Sequence, residues 1–122
     1  IDFVGKYGLC RHRFAELHDP DGSVHSRFEG AITVGEKEVH IAGVGNGPID
    51  SFFQALAHAG VQGYHFVNYH EHAVSHGSNA EGICYIELKK PNGEHIFGAG
   101  MHPNVNVAAL LGIICAINRA EK

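Results

Sequence analysis

The chain has 122 residues, a formal charge of −4 and a pI near 6.2, which argues against a nucleic acid or an anionic membrane as its partner. Hydrophobic residues make up 44% and charged residues 18% of it, a composition typical of one globular domain. The longest apolar run, Val107–Ile117, is shorter than the roughly 20 residues that a membrane span needs.

The first half of the chain predicts three strands followed by a helix. An Asp-Pro-Asp-Gly sequence at residues 19–22 is typical of a turn between the first two strands. Pro48 suits the first position of the helix and Gly60 suits its end. The predicted elements are the strands Tyr7–Leu17, Val24–Val34 and Val39–Val44 and a helix from about Pro48 to Ala59.

The second half predicts the same order of elements. Its helix has almost no polar face, so it must be covered on more than one side. The sheet covers one side, and another subunit is the simplest cover for the rest; a central helix in a larger core is the alternative. The predicted elements are the strands Tyr64–Ser75, Ile83–Lys89 and Glu94–Gly98 and a helix over Val105–Asn118.

A motif repeated at a spacing of 55 residues indicates that the chain is a duplication. The sequence Gly-Val-Gly-Asn-Gly-Pro-Ile-Asp at 43–50 returns in altered form at 98–105. Each copy follows a strand and opens a helix, so the repeat units span roughly 7–60 and 63–119. We therefore predict an α+β fold of two tandem βββα units. The identities in register are Gly43/Gly98, Gly45/Gly100, Pro48/Pro103, His40/His95 and Ile41/Ile96.

The glycine motif also permits a chemical interpretation. A glycine-rich turn between a strand and a helix presents backbone N–H groups at the helix N-terminus, where a small anion such as a carboxylate is stabilised. Pro48 stands where a dinucleotide-binding fingerprint needs its third glycine, which excludes that motif. A tight turn without any ligand is the alternative, and the motif alone leaves it open.

The histidines and cysteines give weaker signals. On a strand, His70, His72 and His76 share one face and suit zinc, although polar residues on a solvated strand face explain them better. The odd number of cysteines, three, favours reduced thiols packed as small hydrophobic groups in a cytoplasmic compartment. No combination of nucleophile and base is evident, so we predict neither a catalytic nor a metal-binding residue.

Four segments together resemble the C-terminal regulatory domain of α-isopropylmalate synthase. The resemblance extends from about Tyr7 to Arg119. The segments are Gly45-Asn46-Gly47-Pro48, Tyr69-x-Glu71-His72-Ala73, Gly77-Ser78-Asn79-Ala80 and Ala116-Ile117-Asn118-Arg119. Because the chain begins with Ile1, we expect it to be a single regulatory domain, residues 1–122, cut from the end of a longer enzyme.

The resemblance implies the following function. Members of this family are acyltransferases of leucine biosynthesis, in which an N-terminal barrel with a divalent metal condenses acetyl-CoA with 2-oxoisovalerate. The regulatory domain has two βββα units about a pseudo-two-fold axis, forms a homodimer, and binds leucine to inhibit the barrel. This fragment is then expected to hold no cofactor and no catalytic site of its own.

The resemblance also assigns the leucine contacts. Helix-start N–H groups would bind the carboxylate, Asp50 and backbone carbonyls the ammonium, and small and apolar residues the side chain. The related citramalate synthases respond to isoleucine, which leaves that effector open, as it does a domain used only for dimerisation. The assigned residues are Asn46, Gly47, Pro48, Ile49, Asp50, Phe66, Tyr69, Ala73, Ala80, Gly82 and Val105.

Overall fold

A computed structural model describes residues 5–76 and 79–121, and the side chains of residues 75–80 lie outside that description. Two three-stranded sheets and two helices alternate as predicted, which confirms the α+β class and the tandem βββα units. In chain order the elements are β1 (Tyr7–His18), β2 (Val24–Val34), β3 (Lys37–Gly45), α1 (Pro48–His58), β4 (His65–His76), β5 (Asn79–Lys89), β6 (His95–His102) and α2 (Val105–Ala120).

The chain divides into two compact units. The first unit comprises residues 9–62, and the second comprises residues 63–121 together with the described residues 5–8. Each unit contains one sheet, in the order β1-β2-β3 or β4-β5-β6, and one helix. The prediction of a single domain over residues 1–122 stays a prediction. No helix among the described residues is long and apolar enough to span a membrane.

An aromatic core holds the first unit together. Alternate residues of β2 face α1, so Phe28 and Ile32 are fully buried beneath Phe52 and Leu56 of the helix. The rings of Phe28 and Phe52 meet edge to face with centroids 4.9 Å apart, a favoured aromatic geometry. This core fixes α1 on β2 and β3, and with it the position at which the helix begins.

The repeated glycines lie beneath the helices, and the interpretation of Gly45 and Gly100 as residues of a turn after the strand was wrong. Gly43 and Gly45 are residues of β3, and Gly98 and Gly100 are residues of β6. A Cβ atom at Gly43 would come within 2.6 Å of the Ser51 carbonyl oxygen of α1. The motif therefore lets each helix backbone pack directly on a strand. Strand β6 accordingly continues past its predicted end at Gly98, as far as His102.

The single chain buries most of α2, which corrects the expectation of another subunit as the simplest cover and agrees with the alternative of a helix buried in the core. Leu110 and Ile113 are fully buried and Ile114 is 6% exposed. Beneath the helix, the inner face of β5 contributes three further buried side chains, which are Cys84, Ile86 and Leu88. A dimer surface must therefore be sought among side chains that this chain leaves exposed.

Candidate functional site

The start of α1 presents free backbone donors. Gly47 is the N-cap, adopts an extended conformation and provides no side-chain cap, while Pro48 has no N–H to donate. The next two N–H groups, of Ile49 and Asp50, lie in the first turn and have no acceptor within the helix. Among the described residues no other group accepts from them. With the positive end of the helix dipole, they form an arrangement that favours an anion.

The Asp50 side chain reaches back over this helix start. Its Oδ2 accepts a hydrogen bond from the Asn46 N–H at 2.9 Å, in the manner of the third helical residue of a capping box. The backbone N–H of Asn46 is therefore not a free donor, and the role of Asn46 in binding a carboxylate stays a prediction. The other carboxylate oxygen of Asp50 stays available to accept from a cation. The space beside Gly47 is open, since a Cβ atom there would have no neighbour within 4 Å.

The start of α2 is built differently. The Asn104 side chain is the N-cap, and its Oδ1 accepts from the N–H groups of Asn106 at 2.9 Å and Val107 at 3.3 Å. Those donors are thereby satisfied, so this helix start offers less to an anion than the start of α1. Val105, the first helical residue and a predicted effector contact, is 40% exposed.

The predicted contacts on β4 form an exposed apolar face. An irregularity between Phe66 and Asn68 shifts the register, so that Phe66 and Tyr69 contact each other with ring centroids 5.9 Å apart. Tyr69 pairs with Ile86, which faces the buried core, and Ala73 pairs with Gly82. Phe66 and Tyr69 are 38% and 45% exposed because α2 packs on β5 and β6.

The structure thus brings the predicted residues together in two groups, one in each unit. The first group is Asn46–Asp50 at the start of α1. The second is Phe66, Tyr69 and Ala73 on β4 with Gly82 on β5, while Val105 lies at the start of α2. The side chain of Ala80 lies outside the described part of the chain.

One hollow of the first unit is lined by none of the predicted contacts. It measures about 720 Å³ and is lined by charged and imidazole side chains of the first unit, among them Arg11, Arg13, Glu29 and His40. Its charges are already paired, since Glu29 binds the guanidinium groups of Arg13 and Arg27. The start of α1, whose N–H donors have no partner in the described part of the chain, is therefore the better candidate.

A polar cluster that the sequence did not predict joins residues 5–8 to the end of α2. The buried Asn118 accepts from the Tyr7 N–H and donates to the Tyr7 carbonyl, both at 2.8 Å. The hydroxyls of Tyr7 and Tyr64 each donate to Glu121 at 3.0 Å. Burial and this carboxylate raise the pKa of Tyr7 to about 12. Sequence spacing gives no signal for a contact between residues so far apart.

The described cysteines and histidines lie in different surroundings. Burial and the nearby Glu71 raise the pKa of Cys84 to about 11, which makes it an unreactive thiol. Cys10 is exposed, so the prediction of packing is wrong for this cysteine. The rings of His70 and His72 have centroids 6.0 Å apart, and the described residues contain no group of three metal-ligating side chains. The third predicted histidine, His76, has its side chain outside the described part.

Comparison with known proteins agrees with the family resemblance seen in the sequence. The model of the LeuA allosteric (dimerisation) domain family matches residues 20–121. The 2-isopropylmalate synthase of Mesorhizobium japonicum is 42% identical over 114 residues, which are 90% of this chain and 20% of that protein. That of Clostridium acetobutylicum is 36% identical over 94 residues, 77% of this chain and 17% of that protein. The chain thus spans about a fifth of the length of these relatives.

Proposed function

We propose that this chain, which belongs to the LeuA allosteric (dimerisation) domain family, binds leucine as the feedback inhibitor of a 2-isopropylmalate synthase. In that longer protein a metal-dependent catalytic domain would condense acetyl-CoA with 2-oxoisovalerate, and this chain would adjust its activity from a second site. It would act as a homodimer in the cytoplasm. No residue of this chain is given a catalytic role.

The uncapped start of α1 is the observation that carries this proposal. A free amino acid always presents a carboxylate, and the N–H groups of Ile49 and Asp50 are donors without a partner among the described residues. Burying such a carboxylate against two N–H groups and a helix dipole requires no basic side chain. The open space beside Gly47 supports an approach to this point, because no side chain blocks it.

The ammonium group of the ligand would be bound by oxygen. Asp50 uses Oδ2 to accept from Asn46 and keeps Oδ1 for another donor. Asp50 would then have two roles. Its hydrogen bond to Asn46 joins the end of β3 to the start of α1, and its carboxylate provides a negative charge beside the anion-binding N–H groups. A zwitterion satisfies this pair of opposite charges better than a simple carboxylic acid does.

The resemblance to the regulatory domain implies that apolar residues of β4, in the second unit, contact the ligand side chain. Phe66 and Tyr69 offer exposed ring surface, and Ala73 and Gly82 offer space because their side chains are small. A Cβ atom at Gly82 would have only the His102 carbonyl oxygen nearby, at 3.7 Å. Leucine and isoleucine differ in the place of one methyl group, a difference of only about 1–3 kcal/mol in such surroundings. Isoleucine is therefore the second candidate effector.

Isothermal titration calorimetry tests the proposal on this chain. We expect saturable binding of leucine, weaker binding of isoleucine, and loss of leucine binding in the variant Ala73→Phe, which fills the space beside Gly82. His72→Phe is the matched control, since it adds the same ring to the next residue, which points to the opposite face of β4.

Each result of the titration decides between the candidate functions. Tighter binding of isoleucine would favour the isoleucine-responsive role known from citramalate synthases. Absence of saturable binding to the folded chain at millimolar concentration would leave a domain used only for dimerisation. An equal loss of leucine binding in Ala73→Phe and His72→Phe would show that β4 is not part of the proposed site. Leucine would still be the effector.

A further inference from the structure

The second sheet carries an exposed apolar patch on the face turned away from α2. Cys84, Ile86 and Leu88 of β5 point towards the core, so the residues between them point away from it. Gly98 and Gly100 of β6 likewise lie beneath α2. The resulting surface, which we call the outer patch, consists of Ile83, Tyr85, Phe97, Ala99 and Met101.

The outer patch contains the two most exposed large apolar side chains of the described chain. Phe97 is 55% and Tyr85 is 49% exposed. Beside them is a hollow of about 190 Å³, which is also lined by Asn68, His70 and Glu87. An apolar surface with an adjoining hollow that can accept a side chain is typical of a protein interface.

The corresponding face of the first sheet differs in a specific way. Gly43 pairs with Phe28 and Gly98 pairs with Ile86, so the repeated glycines align the two sheets residue by residue. In this alignment Arg27 corresponds to Tyr85 and Ala42 to Phe97. Arg27 of the first sheet belongs to an ion-pair network with Glu29 and Arg13, whereas Tyr85 presents an exposed ring at the corresponding position of the second sheet.

We propose that the outer patch is the surface through which this chain binds a second copy of itself, an inference that rests on the dimerisation included in the proposed function. In a two-fold dimer each residue meets the same surface of its partner, so a like charge near the axis is unfavourable. The five residues of the outer patch carry no charge, and the adjoining Glu87 carboxylate is paired with His95. The corresponding face of the first sheet carries Arg13, Arg27 and Glu29, whose exposed ion pairs a second copy would have to desolvate.

The burial of α2 supports the same choice of surface. Leu110, Ile113 and Ile114 are buried in the single chain and are not available to a partner. The outer patch offers exposed rings on paired strands β5 and β6, whose backbone groups are already hydrogen-bonded to each other. A second copy that covered this face would bury apolar surface while the hydrogen bonds between β5 and β6 stayed intact.

A tryptophan reporter tests the proposal directly, because the chain contains no tryptophan. We expect Phe97→Trp to show shielded, blue-shifted emission at high protein concentration and a red shift on dilution, as the dimer dissociates. Val44→Trp is the matched control: Val44 is 47% exposed on β3 of the first sheet, and the emission of that variant should not depend on concentration. In analytical ultracentrifugation, Phe97→Glu should raise the dimer dissociation constant at least tenfold, while Val44→Glu should not.

Other outcomes separate this proposal from the proposed function. A wild-type chain that stays monomeric at high micromolar concentration would overturn both dimerisation and the assigned surface. A dimer of the Phe97→Trp variant whose indole stays solvent-exposed, or a dimer that Phe97→Glu leaves intact, would overturn only the surface. If the indole of Phe97→Trp were shielded in the longer synthase but not in a dimer of this chain, another part of that protein would cover the patch, which would also overturn the proposal. Circular dichroism must confirm that each variant is folded.

Discussion

The two helices begin in different ways although they belong to repeated units. Gly47 leaves the first turn of α1 without a side-chain cap, whereas Asn104 satisfies two N–H groups of α2. The strands beneath the two helices carry the same glycines and permit the same close packing. The comparison indicates that the duplicated packing was kept while the helix starts diverged, one free to bind a ligand and the other closed.

The largest expected effect tests the shared part of this comparison. Gly43→Val and Gly100→Val should each destabilise the chain by about 3 kcal/mol or more, since the added side chain meets helix backbone that has no room to move. A Cβ atom at Gly100 would lie 2.6 Å from the Gly112 nitrogen, much as one at Gly43 would approach Ser51. Urea unfolding followed by circular dichroism measures both changes.

Gly82→Val is the control for these substitutions. Gly82 also lies in a strand, but a Cβ atom there is 3.7 Å from its nearest neighbour, so the change should stay within about 0.5 kcal/mol. If Gly82→Val were as destabilising as the other two, loss of glycine in a strand would explain all three results. If only one of Gly43→Val and Gly100→Val destabilised the chain, the two glycine motifs would not have the same packing role.

The sequence predicted the order of the elements well because each depends on local patterns. The bounds of β2 agree with prediction, and α1 starts at Pro48 as expected. The interpretation of Gly45 and Gly100 as turn residues failed for a physical reason. A glycine after a strand signals equally a turn and a close approach of another backbone, and only the tertiary position of the helix separates the two.

The candidate site was likewise predictable only where local sequence patterns determine it. The grouping of residues 46–50 follows from a helix start that the sequence predicted. The contact between Phe66 and Tyr69 depends on a register shift, which alternation along a strand does not reveal. Asn104 is an ordinary N-cap signal before a helical run, and it could have been recognised from the sequence. The hydrogen bonds between Asn118 and Tyr7 join residues 111 positions apart, so no local sequence pattern could predict them.

A smaller effect tests the closed helix start. Asn104→Ala should destabilise the chain by about 1 kcal/mol, because the N–H groups of Asn106 and Val107 lose their acceptor. Asn104→Asp should largely retain stability, as aspartate is an equally good N-cap. Thermal unfolding of the three proteins measures the difference. Equal stability of Asn104→Ala and the wild type would mean that this cap contributes nothing and that the two helix starts do not differ energetically.

The smallest change in stability tests the open helix start and separates stability from binding. Gly47 has an extended backbone, with φ −164°, and open space around it, so Asn is accommodated there without strain. In Gly47→Asn the new side chain should cap α1 and leave the free energy of unfolding unchanged or raised by a few tenths of a kcal/mol, as expected for an N-cap Asn in place of Gly. The same oxygen would occupy the N–H groups proposed for the ligand carboxylate, so leucine affinity in calorimetry should fall at least tenfold. Gly35→Asn serves as the control, since Gly35 has positive φ at a turn where Asn is tolerated and lies outside both groups of predicted contacts. Unchanged leucine affinity in a folded Gly47→Asn variant would place the carboxylate away from this helix start, because the donors it needs would then already be taken.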